Sequence, residues 1–136
     1  MKPVLVDTSG YVAFKRGDPE ALAVLRRAPA IALCPTVLGE LLAGFACGSQ
    51  PGRNRRELAT FLQSPRVTFL PADADTAEHY AMAFATLRRK GWPVPTNDLW
   101  IAATALQHGY AVFTRDAHFG AIDNLISGQG LADFLP

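Results

Sequence analysis

The stretch from Thr96 to Gly109 carries the clearest helical pattern in the chain. Thr96 follows an extended Pro-Val-Pro segment and has the character of an N-cap, and Gly109 has the character of a residue just beyond a helix. Between them, apolar residues recur at the i, i+3, i+4, i+7 spacing of a buried helix face. That face consists of four residues: Leu99, Ala102, Ala103 and Leu106.

Short apolar runs alternate with amphipathic segments along the rest of the chain. The runs at 3–6, 31–33, 67–70 and 110–114 predict strands, and 131–134 is a candidate for a short last strand. Helical patterns cover the segments 18–27, 37–46, 53–63 and 73–91, and residues 11–14 predict a short helical turn. Strands that alternate with helices predict βαβ units, an α/β fold and a parallel sheet. Right-handed crossovers place the carboxyl ends of its strands on one side.

Length and composition narrow the class of protein. A chain of 136 residues predicts a single domain, 1–136, of 49% hydrophobic residues. The net charge of +1 excludes a polycation, so an anionic partner must be met by local patches or by metal. Cys34 and Cys47 are too few for a disulfide framework, which predicts reduced cysteines and a cytoplasmic protein. No apolar run approaches the ~18 residues of a membrane span, so we expect no membrane partner.

Four of the twelve acids stand in unusual positions. Asp7 and Asp116 follow predicted strands, Asp98 lies in the first turn of the central helix, and Glu40 lies in an apolar helix with no Lys or Arg from 28 to 52. Singly, each has an ordinary explanation: an Asx-turn, a helix-dipole contact or a solvent-facing side chain. Together, clustered carboxylates repel one another, and a hard cation relieves the repulsion. Oxygen ligands suit Mg²⁺ or Mn²⁺, ions that proteins use to cut phosphodiesters.

The order of these acids along the chain resembles that in a known family. Four short motifs are similar to those of PIN-domain ribonucleases, and in particular of VapC-type toxins: Asp7-Thr8-Ser9, the Glu40 segment 36–41, Thr96-Asn97-Asp98 with 101–103, and Thr114-Arg115-Asp116 with Phe119. The resemblance implies a three-layer α/β/α sandwich around a central, mostly parallel sheet of four to five strands. It also implies an endoribonuclease dependent on Mg²⁺ or Mn²⁺, a homodimer, and inhibition by a small cognate antitoxin.

Matched position by position, the resemblance assigns the site. The acidic, metal-binding and catalytic positions are Asp7, Glu40, Asp98 and Asp116, and the supporting hydroxyls and amide are Thr8, Ser9, Asn97 and Thr114. One position departs from the family pattern. Many relatives carry a further acid just before the phenylalanine that matches Phe119, whereas this chain has His118. The fourth acidic position therefore rests on Asp116 alone, and His118 is interpreted as a surface or hydrogen-bonding histidine.

Basic and aromatic residues suggest where partners bind. Four arginines are candidates to hold the RNA backbone, with a solvated face as the alternative: Arg53, Arg55, Arg56 and Arg115. Aromatic residues are enriched at interfaces, and three of them are candidates for a dimer or antitoxin contact, with core packing as the alternative: Phe45, Trp92 and Trp100.

Other functions make different demands on the sequence. A phosphotransferase of the haloacid-dehalogenase type needs a second acid two residues after Asp7, where Ser9 stands. A receiver-like domain needs paired acids after the first strand and a lysine at a later strand end, where Arg115 stands beside Asp116. A non-catalytic RNA-binding module with the same fold remains the alternative from another class, and metal-dependent cleavage separates it from the nuclease.

Overall fold

A parallel sheet forms the centre of the computed structural model, which describes residues 1–136. Its five strands lie in the order β3-β2-β1-β4-β5, and all four neighbouring pairs are parallel. The predicted sheet of four to five mostly parallel strands is confirmed. The strands are β1 Val4–Val6, β2 Ile31–Leu33, β3 Val67–Phe69, β4 Ala111–Phe113 and β5 Ser127–Gly128.

Helices cover the two faces of this sheet. The first two crossovers run toward β3 and the third returns past β1 to β4, so right-handed crossovers place α1–α4 on one face and α5 and α6 on the other. The layers are therefore helix, sheet and helix. None of the helices is long and apolar enough to cross a membrane. The helices are α1 Thr8–Lys15, α2 Pro19–Arg27, α3 Pro35–Ala46, α4 Pro51–Gln63, α5 Ala74–Lys90 and α6 Thr96–His108, with 3₁₀ helices at Ala117–Ala121 and Leu131–Asp133.

The strand order reverses between β1 and β4. All residues of β1, β2 and β4 are buried, which explains why these strands are continuous apolar runs without alternation. In open parallel sheets, ligands bind beyond the carboxyl ends of the strands at the point where the order reverses. Asp7 directly follows β1 and Thr114 directly follows β4, so the fold places two motif positions at this crevice.

Two local predictions about element boundaries are wrong. The segment 131–134 contains a 3₁₀ helix, and the fifth strand is instead Ser127–Gly128, a two-residue strand too short and too polar to leave a periodic signal. Pro95 is the N-cap of α6, and Thr96 is its first helical residue. The predicted turn at 11–14 belongs to an eight-residue helix, α1, that Asp7 caps.

The buried face of α5 also differs from the face that its spacing predicts. The apolar pattern predicts a face of Ala77, Tyr80, Ala81, Phe84 and Leu87. The structure buries Thr76, Ala83 and Leu87, whereas Ala77, Ala81 and Phe84 are exposed. The helix is rotated because Tyr80 stacks on Trp100 of α6, with ring centroids 4.2 Å apart. An apolar stripe of α5 therefore faces outward.

Candidate metal centre

Asp7 connects the end of β1 to the start of α1. Its side chain caps α1: Oδ1 accepts a hydrogen bond of 2.7 Å from the Thr8 backbone N–H, and Oδ2 accepts one of 2.7 Å from Thr114 Oγ1. Only 5% of Asp7 is exposed. Burial raises the pKa of its carboxyl group, the bonds from Thr114 and Thr8 oppose this, and the negative charge of Glu40 raises it further. Asp7 is thus a buried acid whose ionised form is costly without a cation.

Asp98 is the second buried acid. It lies in the first turn of α6 with 5% of its surface exposed. Burial, opposed by a hydrogen bond from His118 and reinforced by the charges of Asp116 and Asp7, raises its pKa to about 6. The helix dipole should favour an anion in this position. Burial and the neighbouring carboxylates act in the opposite direction.

Glu40 connects three helices at the same edge. It lies on α3 and is half-buried, and its Oε1 accepts a hydrogen bond of 3.1 Å from Thr8 Oγ1 of α1. Its Oε2 accepts one of 3.1 Å from Asn97 Nδ2 of α6. Glu40 therefore has neutral donors and no lysine or arginine as partner, as its apolar surroundings in the sequence predict.

Asp116 and His118 complete the group. Asp116 caps the 3₁₀ helix at Ala117–Ala121 through a 2.9 Å hydrogen bond from the His118 backbone N–H. The imidazole Nδ1 of His118 lies 2.9 Å from Asp116 Oδ1 and 3.2 Å from Asp98 Oδ2. The sequence interpretation of a hydrogen-bonding histidine did not place it among the acids. Its position two residues after Asp116 and directly before the buried Phe119 is the signal that could have done so.

Hydroxyl groups hold the ends of β1 and β4 together. Thr114 Oγ1 donates to Asp7 and accepts a 2.9 Å hydrogen bond from the Asp116 backbone N–H. Ser9 Oγ lies 3.4 Å from Asp7 Oδ2 and accepts a 2.9 Å hydrogen bond from the Arg115 backbone N–H. All four predicted supporting residues therefore contact a site acid directly: Thr8, Ser9, Asn97 and Thr114.

Replacing Thr114 by valine should separate the contribution of these hydrogen bonds from that of side-chain shape. Thr114→Val keeps the side-chain volume but removes the partner of the Asp116 N–H and the shorter of the two hydroxyl contacts of Asp7 Oδ2. We expect a loss of about 1–3 kcal/mol in the free energy of unfolding. Urea denaturation at neutral pH measures it, with Thr114→Ser, which keeps the hydroxyl, as the matched control. Equal stability of Thr114→Val and the wild type would show that these bonds do not organise the crevice.

The predicted arginines lie outside the acidic group. The guanidinium of Arg115 pairs with Asp18 at 2.6 Å, and Arg53 pairs with Glu57 at 3.2 Å. Arg115 still lies next to the site through its backbone, whereas Arg53 lies on α4. Two further arginines of α4 are exposed: Arg55 and Arg56.

The donor atoms suit a divalent cation. Carboxylate oxygens of Asp98 and Asp116 and a ring nitrogen of His118 lie within 4.8 Å of one another. The charge of Asp7 acts on Asp98 and that of Glu40 acts on Asp7, and no lysine or arginine forms an ion pair with any of the four acids. Four carboxylates and a single imidazole at this edge of the sheet leave excess negative charge in a partly buried crevice. A divalent ion with oxygen ligands would neutralise it.

Comparison with known proteins agrees with this geometry. The PIN domain model matches residues 4–125. Ribonuclease VapC4 of Mycobacterium tuberculosis is 32% identical over 127 residues, which cover 92% of this chain and 95% of that protein. Ribonuclease VapC1 of Rickettsia felis is 30% identical over 113 residues, or 82% of this chain and 83% of that protein.

Solved structures show the same fold. DNA-bound VapBC from Salmonella typhimurium superimposes with a TM-score of 0.80 at 25% identity, covering 94% of this chain and 98% of that one. VapBC-5 of Mycobacterium tuberculosis, from the VapBC family of toxin-antitoxin systems, superimposes with a TM-score of 0.70 at 29% identity, covering 93% and 95%. The chain belongs to the PIN-domain family. Within that family it belongs with the VapC ribonucleases, as its four motifs predict.

Proposed function

We propose that this protein is a metal-dependent endoribonuclease that hydrolyses RNA phosphodiesters in the cytoplasm. One observation carries the proposal. Four carboxylates from β1, α3, α6 and the end of β4 meet where the strand order reverses, and two of them, Asp7 and Asp98, are only 5% exposed. Burying two acids with no lysine or arginine as partner is costly, and a fold that needed only stability would not retain them.

The four acids have different proposed roles. Asp7 and Asp98 would hold Mg²⁺ or Mn²⁺, and Glu40 and Asp116 would complete the set directly or through water. When bound, such an ion lowers the pKa of water and stabilises charge on the phosphodiester. Asp116 is half-exposed and would be placed to accept a proton from that water.

Water, and not the ribose 2′-hydroxyl, is the proposed nucleophile. Internal transesterification typically needs an acid–base pair of histidines, and His118 is alone in the site. The other two histidines lie elsewhere, His79 on α5 and His108 at the end of α6. Products should therefore carry a 5′-phosphate and a 3′-hydroxyl.

Two grooves beside the site offer a path for the RNA backbone. Ser9, Arg16 and Arg115 line the first, and Lys15, Arg16 and Arg53 line the second. Arg16 belongs to both grooves and forms no ion pair, whereas Arg115 pairs with Asp18, and Lys15 and Arg53 pair with Glu57. These cations follow one another from the crevice past α1 to the start of α4. Cations spaced along such a path bind phosphates without reading sequence. This path supports Arg115 and Arg53 as backbone contacts and adds Lys15 and Arg16.

Cleavage of RNA with and without metal tests the proposal. Purified protein is incubated with a mixed-sequence RNA, with a folded tRNA and with a ribosomal stem-loop, in Mg²⁺, Mn²⁺ or EDTA. We expect cleavage of at least one substrate with metal and none in EDTA. Cleavage that persists in EDTA would contradict the mechanism. Intact RNA with every metal, while binding survives, would favour a non-catalytic RNA-binding module.

We further propose that the protein is the toxin of a toxin–antitoxin pair and is inhibited by a small cognate antitoxin. The support is its likeness to VapBC complexes over more than nine-tenths of the chain. Co-expression with the product of the neighbouring reading frame, followed by co-purification and loss of cleavage, tests the pairing. Unchanged cleavage in the presence of that product would argue against it.

A second copy of the chain is the proposed occupant of an exposed apolar surface on α5 and the turn after it. Met82 is 69% exposed and Trp92 is 62% exposed, and Trp92 lines a groove together with Phe84. Two of the three aromatic candidates are already packed: Trp100 stacks on Tyr80, and Phe45 packs partly against the core. Only Trp92 is left to contact a partner.

Breaking this apolar surface should give monomers. The wild type should sediment as a dimer at micromolar concentration. The double variant Met82→Lys, Trp92→Lys should sediment as a monomer because it places charge in a desolvated contact. Leu135→Lys, a substitution at an exposed apolar residue elsewhere, is the control. A wild-type monomer, or a double variant that stays dimeric, would contradict this assignment.

A further inference from the structure

His118 stands where the acids of the crevice meet. It extends from the 3₁₀ helix at Ala117–Ala121, and the wholly buried Phe119 anchors that helix to the core. Asp116 fixes the backbone of His118 through its capping bond. The backbone of His118 is therefore held in place, although half of its side chain faces solvent. A flexible surface histidine has no such anchors on both sides.

The ring nitrogen lies among carboxylate oxygens that are proposed to hold the metal. Nδ1 lies 2.9 Å from an oxygen of Asp116 and 3.2 Å from an oxygen of Asp98. Ionised carboxylates only accept hydrogen bonds, so Nδ1 carries a proton in this arrangement. A cation that enters between the two carboxylates replaces that proton, and the same nitrogen lone pair then faces the ion.

We propose that His118 is a metal ligand that makes this a mixed nitrogen–oxygen site selective for Mn²⁺ over Mg²⁺. The inference rests on the proposed function. Mg²⁺ prefers oxygen ligands and water, whereas imidazole suits the transition metals. Asp98, Asp116 and His118 offer two oxygens and one nitrogen within 4.8 Å. An acid in place of His118 would give an oxygen-only set that accommodates both ions.

Metal binding can be measured without any substrate. Free Mn²⁺ is followed by its paramagnetic resonance signal during titration, and Mg²⁺ affinity is obtained by competition. We expect the wild type to bind Mn²⁺ at least about 10-fold more tightly than Mg²⁺. His118→Asp should reduce the ratio of the two affinities at least about 10-fold, and His118→Ala should weaken Mn²⁺ binding about 10–100-fold. His108→Ala, which removes an exposed histidine outside the site, should change neither.

A spectroscopic signature identifies the ligand directly. Spin-echo modulation of bound Mn²⁺ should show coupling to a nitrogen nucleus in the wild type and in His108→Ala. The coupling should be absent in His118→Asp and His118→Ala. This readout depends on direct ligation, so a purely structural role of His118 would not produce it.

The outcomes separate this inference from the proposed function. Wild-type protein that binds neither ion would contradict both. Mn²⁺ binding without nitrogen coupling and with an unchanged affinity ratio in His118→Asp would overturn the ligand assignment alone. Tighter Mn²⁺ binding in His118→Ala would also overturn it, because the imidazole would then be a competing internal cation.

Discussion

Asp98→Asn should abolish RNA cleavage and make the metal-free protein more stable. Asparagine keeps the shape of Asp98 but removes a negative charge from a buried crevice shared with three other carboxylates. We expect cleavage to fall at least about 100-fold because a proposed metal ligand is lost. In EDTA at pH 7.5, the free energy of unfolding should rise by about 1–3 kcal/mol, since the native state no longer ionises a group whose pKa burial raises to about 6.

The pH dependence fixes the sign of this effect. Folding raises the Asp98 pKa from 3.8 to about 6, so the native state binds more protons than the unfolded chain between these values. Metal-free wild type should therefore lose stability as the pH rises from about 4 to above 6. Asp98→Asn should show a smaller loss over the same range. Urea denaturation at several pH values, with the far-side variant His108→Ala as control, measures both.

Added metal should make the wild type more stable than Asp98→Asn, the reverse of the order in EDTA. Mn²⁺ should raise the melting temperature of the wild type and leave that of Asp98→Asn nearly unchanged, because a ligand stabilises the state to which it binds. A stable Asp98→Asn protein that still cleaves RNA at the wild-type rate would remove Asp98 from the site. If Asp98→Asn were less stable than the wild type in EDTA, the buried charge of Asp98 would not destabilise the metal-free protein.

Gly10→Ala should destabilise the fold, although alanine is the better helix former. Gly10 lies in α1, where a Cβ would meet the Phe113 carbonyl oxygen at 2.7 Å and its ring at 2.9 Å. The helix and β4 would have to separate, and with them Asp7 and Thr114, which hydrogen-bond across this contact. We expect a net loss of about 1–3 kcal/mol in the free energy of unfolding, together with reduced cleavage.

Gly39→Ala is the matched control for backbone freedom. Gly39 lies in α3, and nothing lies within 4 Å of a Cβ placed there. Gly39→Ala should therefore stabilise the protein by about 0.5–1 kcal/mol. Denaturation curves of the two alanine variants should shift in opposite directions. Equal shifts would show that the contact with Phe113 is unimportant.

Strongly patterned parts of the fold could be predicted from the sequence. The strands β1, β2 and β4 are buried along their whole length, and helix α6 has a regular apolar spacing. In these elements the local sequence pattern agrees with the tertiary environment. Strand β5 could not be predicted, because two residues, Ser127 and Gly128, pair only through their backbone. The face of α5 could not be predicted either, because the stacking of Tyr80 on Trp100 sets its rotation.

Site residues could be predicted from the sequence where an acidic side chain stands in an apolar or strand-end position. Asp7, Glu40 and Asp98 are acids in apolar or strand-end positions, and the structure brings them together with Asp116 at one edge of the sheet. The place of His118 was not predictable, because a histidine next to an acid is common on protein surfaces. Only the meeting of α6 with the 3₁₀ helix after β4 shows that its ring reaches both carboxylates.

Mapping the ends of the RNA products tests the central claim most directly. Wild type and Asp98→Asn, purified in parallel, are incubated with the same cleavable RNA in Mn²⁺, and the product ends are identified by ligation and mass spectrometry. Hydrolysis by water at the four-acid site predicts 5′-phosphate and 3′-hydroxyl ends, with none of these products from Asp98→Asn. A 2′,3′-cyclic phosphate, or the same products from Asp98→Asn, would contradict it.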